Sequence, residues 1–229
     1  MVSFRSPLAG RLNGDNHDRR EPAGADRRGV RCRHVLLELI LDLAAKGLVI
    51  GLSLYPLTRS GSSHFAGKAM GVRALVYPGS TLVIPAVWLA AGTPGPYPFL
   101  ADIAFALPFA LDAAGNVFGW FAVKGFDRIP HSVGWFFLTV AFGLAVAPLA
   151  GERWIGFGLA LGFGAVADIV WEMGEFALMR SGASGLQLTY DNTIQDLGMS
   201  LLGAVGGASL VATLLWPAAG TARNLFGWS

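Results

Sequence analysis

The feature that most constrains this chain is a series of five apolar stretches, each long enough to cross a lipid bilayer. A spanning helix needs about 20 mostly apolar residues for a hydrocarbon core about 30 Å thick. Residues 72–91, 99–121, 131–150, 155–179 and 192–216 meet that requirement. Without water, backbone N–H and C=O groups must bond within the segment, so each stretch is expected as a helix. The connections are short and carry turn chemistry, as in Gly-Thr-Pro-Gly-Pro-Tyr-Pro at residues 92–98. Charged residues make up 14% of the chain, against about 25% in a typical soluble domain. They are also unevenly placed: residues 1–33 hold eight arginines and four acids, whereas residues 74–126 hold three charged residues. Trp88, Trp120, Trp135, Trp154 and Trp216 fall near the ends of the stretches, where an aromatic belt is expected.

The expected fold is therefore all-α: a polytopic membrane bundle of five to six transmembrane helices over residues 34–220, preceded by a disordered tail over residues 1–33. The tail lacks an apolar core, and its long arginine-rich composition is unlike a cleaved signal peptide. A basic segment beside the membrane reads as cytoplasmic and attractive to anionic headgroups. Its Cys32, the one cysteine of the chain, can form no internal disulfide and no multi-cysteine metal site.

Residues 35–55 leave two alternatives open. Glu38, Asp42 and Lys46 recur every four residues and make one charged stripe. The segment spans with that stripe against protein, or lies along the interface as an amphipathic helix. The distribution of Lys and Arg leans toward the flat arrangement. Two small-xxx-small pairs, Gly158 with Gly162 and Gly203 with Gly207, are expected helix-packing positions.

Ionisable groups within spans are costly and need a reason. Asp112 and Asn116 stand four apart, as do Asp127 and His131; Asp168, Glu172 and Glu175 step by four and three; Asn192 and Asp196 follow Asp191. Residues three or four apart share a helix face, so each group aims in one direction. Helix direction alternates, so the end of one span and the start of the next return to one membrane face. All four groups are expected there whichever way the chain is inserted. Near the other face Asp102, Glu152 and Arg153 form no matching cluster in the sequence. Asp127 and Asp191 also have an ordinary alternative, as N-caps of their helices.

Seven carboxylates gathered this closely cannot all be ionised and unpaired. Shared protons, a bound cation or pairing with Lys and Arg must neutralise them. One histidine with several carboxylates suits a hard or borderline divalent cation, Mg, Mn or Zn. On that basis Asp127, His131, Glu172 and Asp196 are the expected ligands. Glu175 or Asp112 is the expected general base, and Asn116, Asp168, Asp191 and Thr193 complete the polar site.

At Asp-Arg-Ile-Pro-His-Ser-Val-Gly-Trp (127–135), Ala-Asp-Ile-Val-Trp-Glu-Met-Gly-Glu-Phe (167–176) and Tyr-Asp-Asn-Thr-Ile-Gln-Asp (190–196), the chain resembles the YjdF-like family of uncharacterised bacterial inner-membrane proteins. Asp127, His131, Trp171, Glu172, Glu175, Asp191, Thr193 and Asp196 occupy the motif positions, and Asp112 with Asn116 fits relatives of this kind. Asn192 departs from the pattern, giving Asp-Asn-Thr rather than Asp-Thr. The likeness covers roughly residues 72–215. VanZ-like membrane proteins are similar more distantly. The resemblance implies a multi-pass protein of the bacterial inner membrane and supports the polar site without assigning a reaction.

Three functions fit these residues. The first is a metal-dependent enzyme working on a membrane lipid or lipid-linked substrate. The second is a proton or cation transporter, which needs a polar route to the other face. The third is a structural or partner-binding membrane protein. No feature points to nucleic acid.

Overall fold

The computed structural model describes residues 23–92, 95–184 and 188–216. They form seven α-helices with short 3-10 and π turns, and the described residues contain no strand. The chain divides into two units at Leu36–Leu37. The described part of the first unit is the opening of helix α1 (Ala23–Leu54), where Cys32 is exposed. Of the tail expected over residues 1–33, Ala23–Arg33 belong to this helix, alanine and arginine being good helix formers. Residues 1–22 of that tail lie outside the described residues.

In the second unit the rest of α1 buries Asp42, Ala45, Val49 and Ser53, a single stripe at helical spacing. Ala45 and Val49 pack in one cluster with Tyr77, Ala106, Ala110 and Ala113. Asp42 turns inward with this stripe, whereas Leu39, Ile40, Leu43 and Leu48 are exposed.

Residues 72–91, expected as one helix, form two. Helix α2 (Met70–Ser80) and α3 (Val83–Ala90) are separated by a break beside Pro78, with Pro85 just beyond it. Each proline removes a donor from the helical ladder. Ser80 Oγ and Thr81 Oγ1 donate to the carbonyls of Tyr77 and Pro78 at 2.7 Å, satisfying acceptors at the break. Together Met70–Ala90 still has the length and composition to cross a membrane, as do Phe99–Val117, Pro130–Ala147, Arg153–Arg180 and Tyr190–Leu215. The chain thus has the architecture of a multi-pass membrane protein.

Helices α4 (Phe99–Val117), α5 (Trp135–Ala150), α6 (Arg153–Arg180) and α7 (Tyr190–Leu210) build the centre, with α5, α6 and α7 in mutual contact. Their close approach rests on small residues. A Cβ on Gly203 would strike the Ser132 carbonyl, in the turn before α5, and one on Gly207 the Phe136 carbonyl, in the first turn of α5. Glycine there lets α7 lie against the backbone of its neighbour. The other pair behaves differently: nothing lies within 4 Å of a Cβ on Gly158 or Gly162. On α6 the packing glycines are Gly156, under Trp216, and Gly164, against Ala204 and Thr139. The i, i+4 signal reports two small residues on a face, and nothing in it says whether that face meets a helix.

Candidate functional site

The end of α4, the entry to α5, the late half of α6 and the start of α7 meet at one end of the bundle, as alternating helix direction requires. His131 sits at their centre. It lies in a π turn (Pro130–Gly134) that precedes α5, and such wide turns often mark functional positions. Gly203 and Gly207 bring α7 close enough for Ser200 Oγ to stand 3.1 Å from His131 Nδ1. On the same ring, Glu172 Oε1 approaches Nδ1 at 4.0 Å and Asp196 Oδ2 approaches Nε2 at 3.8 Å. His131, Asp168, Glu172, Asp196 and Ser200 are all buried.

Two groups of side chains have metal-ligand spacing, with ligand atoms within 4.8 Å of one another: Asp127, His131 and Asp196, and His131, Asp168 and Glu172. The expected ligand set is therefore divided. Asp127 and Asp196 share one group, Glu172 belongs to the other with Asp168, and His131 belongs to both. Asp168, expected only as a neighbouring polar residue, is as well placed as the rest. Asp127 accepts a hydrogen bond from Asn192 Nδ2 at 3.2 Å, which ties the start of the α5 segment to α7.

A cavity of about 160 Å³ adjoins the first group. Asp112, Asn116, Asp127, His131, Glu175 and Asp196 line it together with Lys68, Arg73 and Tyr77, and Phe109, Trp135, Leu138 and Trp171 supply apolar wall. Trp135, expected in an interfacial belt, is instead buried here, at 7% exposure; Trp154 is exposed. Asp112 is held by Arg73 and by the Tyr77 hydroxyl, both reaching across from α2, and Asn116 Nδ2 donates to the Asp112 carbonyl at 3.0 Å. Burial, followed by the positive charge of Arg73, pushes the Lys68 pKa down.

The remaining expected residues lie outside this cavity. Asp191 is exposed in the first turn of α7, whose N-cap is Thr189, accepting from the Asn192 N–H. Thr193 and Glu172 line a separate groove between α6 and α7.

The sequence reading missed Ser200, Arg73, Tyr77 and Lys68. Ser200 stands four residues after Asp196, and Arg73 and Tyr77 stand four apart inside an apolar stretch. Both spacings were open to the rule used for the other groups. It also missed a second polar centre near the opposite ends of the helices. There Lys46 pairs with Asp42 at 2.9 Å and with Asp102, and Tyr97 donates to Asp102. Asp42 and Asp102 are 2% and 0% exposed, so the expectation of no matching cluster at that end is overturned. Burial and then the bond to Asp102 push the Tyr97 pKa up, so its hydroxyl keeps its proton.

The site's main electrostatic property is its lack of compensation. Among the described residues, ion pairs with Lys or Arg involve Asp42, Asp102 and Asp112, and none involves Asp127, Asp168, Glu172, Glu175 or Asp196. Both carboxylate oxygens of Glu172 and one of Asp168 are buried with no hydrogen-bond partner.

Fold and site together define a multi-pass membrane helical bundle carrying a buried Asp/His/Glu cluster that could hold a metal ion. Comparison with protein-family profiles, curated proteins and solved structures gives no match to this chain.

Proposed function

We propose that this protein is a membrane-embedded, metal-dependent enzyme acting on a lipid or lipid-linked substrate, in a bacterial inner membrane. The observation that carries the reading is the uncompensated charge: Glu172 has two buried, unpartnered oxygens beside His131, Asp168 and Asp196. Buried carboxylates without partners cost several kcal/mol in order of magnitude, and a cation or bound protons must offset that.

Of the two ligand groups, Asp127, His131 and Asp196 are the better catalytic centre. They line the cavity, and a catalytic metal needs a position open to substrate. His131 is suited to the role, since Asp196 approaches Nε2 while Ser200 can fix the ring through Nδ1. A divalent cation held there, Mg, Mn or Zn, would supply Lewis-acid polarisation of a substrate oxygen. Asp168 and Glu172 add negative charge behind it. Glu175 lines the same cavity and has no Lys or Arg ion-pair partner among the described residues, which suits a general base. Asp112 is less suited, because Arg73 and Tyr77 already occupy its carboxylate.

The transporter reading needs a polar route between the two centres. On α4 the intervening Ala106 and Ala110 pack in one cluster with Ala45, Val49 and Ala113, and the hydroxyl of Tyr77 in that cluster is turned to Asp112, which favours an apolar layer between the centres. The inward-facing Asp42 and outward-facing leucines of α1 support a sixth span rather than a helix lying on the surface.

Elemental analysis of detergent-purified protein tests the proposal. Wild type and Asp112→Asn are expected to carry the metal at equal stoichiometry, and His131→Ala and Asp196→Asn to lose it. Metal retained in both of the latter removes the reading.

A further inference from the structure

The metal reading leaves one feature of the cavity unexplained. Lys68 and Arg73, two like-charged side chains, line it together. Arg73 is balanced by Asp112. Lys68 has no ion-pair partner among the described residues, although its neighbours leave it only partly exposed. The cavity's carboxylates offer both cations a favourable field, but Asp112 takes the guanidinium and no described carboxylate pairs with the ammonium, which leaves Lys68 able to bond an incoming anion.

The backbone around Lys68 is also held in a costly form. Ala69 has φ of 51°, the sole non-glycine residue with positive φ among the described residues. For an L-residue with a Cβ this conformation costs about 1 kcal/mol or more. The turn it makes leads into α2, and Arg73 Nε donates to the Lys68 carbonyl at 3.2 Å, fixing Lys68 against that helix. The turn and this bond place Lys68 beside the start of α2, on the cavity wall.

We propose that the cavity binds the phosphoryl group of its substrate, with Lys68 on one side of the anion and the cation held by Asp127, His131 and Asp196 on the other. This rests on the metal-dependent reading. The charges fit: an ammonium and a divalent cation on the wall of one cavity of about 160 Å³ suit a phosphate ester better than a neutral headgroup, because charge-assisted bonds to phosphate oxygens are strong. The apolar wall beside Trp135, Leu138 and Trp171 suits an ester carried on an amphiphile. Arg73 has a positioning role, since Asp112 and Tyr77 occupy it.

Binding of three probes to metal-loaded protein in neutral detergent tests this: phosphatidate, inorganic phosphate and diacylglycerol. Phosphatidate is expected to bind and diacylglycerol not to compete. Lys68→Met is expected to weaken phosphatidate binding about tenfold or more, with Lys68→Arg restoring most of it and the exposed Lys124→Met leaving it unchanged. Inorganic phosphate binding as tightly as phosphatidate would identify a soluble ester as the source and still support the subsite; weak phosphate binding would identify the lipid. Metal content is measured in the same samples. Unchanged phosphatidate affinity in Lys68→Met at wild-type metal content overturns the phosphoryl site and leaves the metal reading intact. Equal binding of diacylglycerol also overturns it. Lys68-dependent binding in protein that holds no metal overturns the metal reading alone.

Discussion

The two polar centres of this bundle are made of the same residue types and are put together in opposite ways. At one end Lys46 stands between Asp42 and Asp102, and Tyr97 adds a hydroxyl. At the other, His131 stands among Asp127, Asp168, Glu172 and Asp196 with no Lys or Arg paired to them, beside a cavity. The first centre is largely closed electrostatically and serves to lock α1 to α4. The second is open, and what it lacks is positive charge. A buried carboxylate therefore says little until its counter-charge is known: Asp102 and Asp168 are both 3% exposed or less, yet one is paired with a lysine and the other is not.

Removing charge should therefore act differently at the two ends. The largest effect is expected at the closed centre. Lys46→Met leaves two buried carboxylates without their cation and should destabilise the protein by about 3–5 kcal/mol, read as a lowered unfolding temperature in detergent. The combined variant Asp42→Leu, Lys46→Met and Asp102→Leu should recover most of that loss, because an apolar trio of similar volume replaces the ion pairs. In both, metal content per folded molecule should match wild type. Failure of the triple variant to recover would mean that the centre does more than lock two helices.

Next in size is the packing that assembles the open centre. Gly203→Val forces α7 away from the Ser132 carbonyl and should cost about 1–3 kcal/mol by overpacking, and metal affinity should fall with it. Gly162→Val on the unoccupied face should leave metal affinity unchanged.

At the open centre itself, Glu172→Gln should change the stability of metal-free protein by less than about 1 kcal/mol, because neither Glu172 oxygen has a hydrogen-bond partner to lose. In metal-loaded protein the same change should weaken metal affinity about 10–100-fold, as expected of a carboxylate behind the ligands. A large loss of stability in the metal-free variant would place Glu172 in a closed network like that of Lys46.

The contrast also shows what could be read without the fold. Apolar length alone gave the five spans, because the bilayer's thickness and lack of water admit few alternatives. Alternating direction gave the meeting of Asp112, His131, Glu172 and Asp196 at one end. The break at Pro78 was legible too, had the two prolines of residues 72–91 been weighed against their length. Partner choice was not legible. Lys46 and Asp102 are 56 residues apart, and the pairing depends on how α1 leans on α4. The division of carboxylates between the two nitrogens of His131 depends on the π turn at Pro130–Gly134, which no local spacing announces. Helical spacing shows which residues share a face, and packing decides what that face meets.

The most direct test of the central claim is pulsed electron paramagnetic resonance of purified protein loaded with Mn²⁺. Coupling to one directly coordinated imidazole nitrogen is expected, lost in His131→Gln and retained in His64→Gln, because the His64 ring hydrogen-bonds the Asn116 carbonyl instead. Bound Mn²⁺ without nitrogen coupling, or coupling that survives His131→Gln, would contradict a metal centre built on His131.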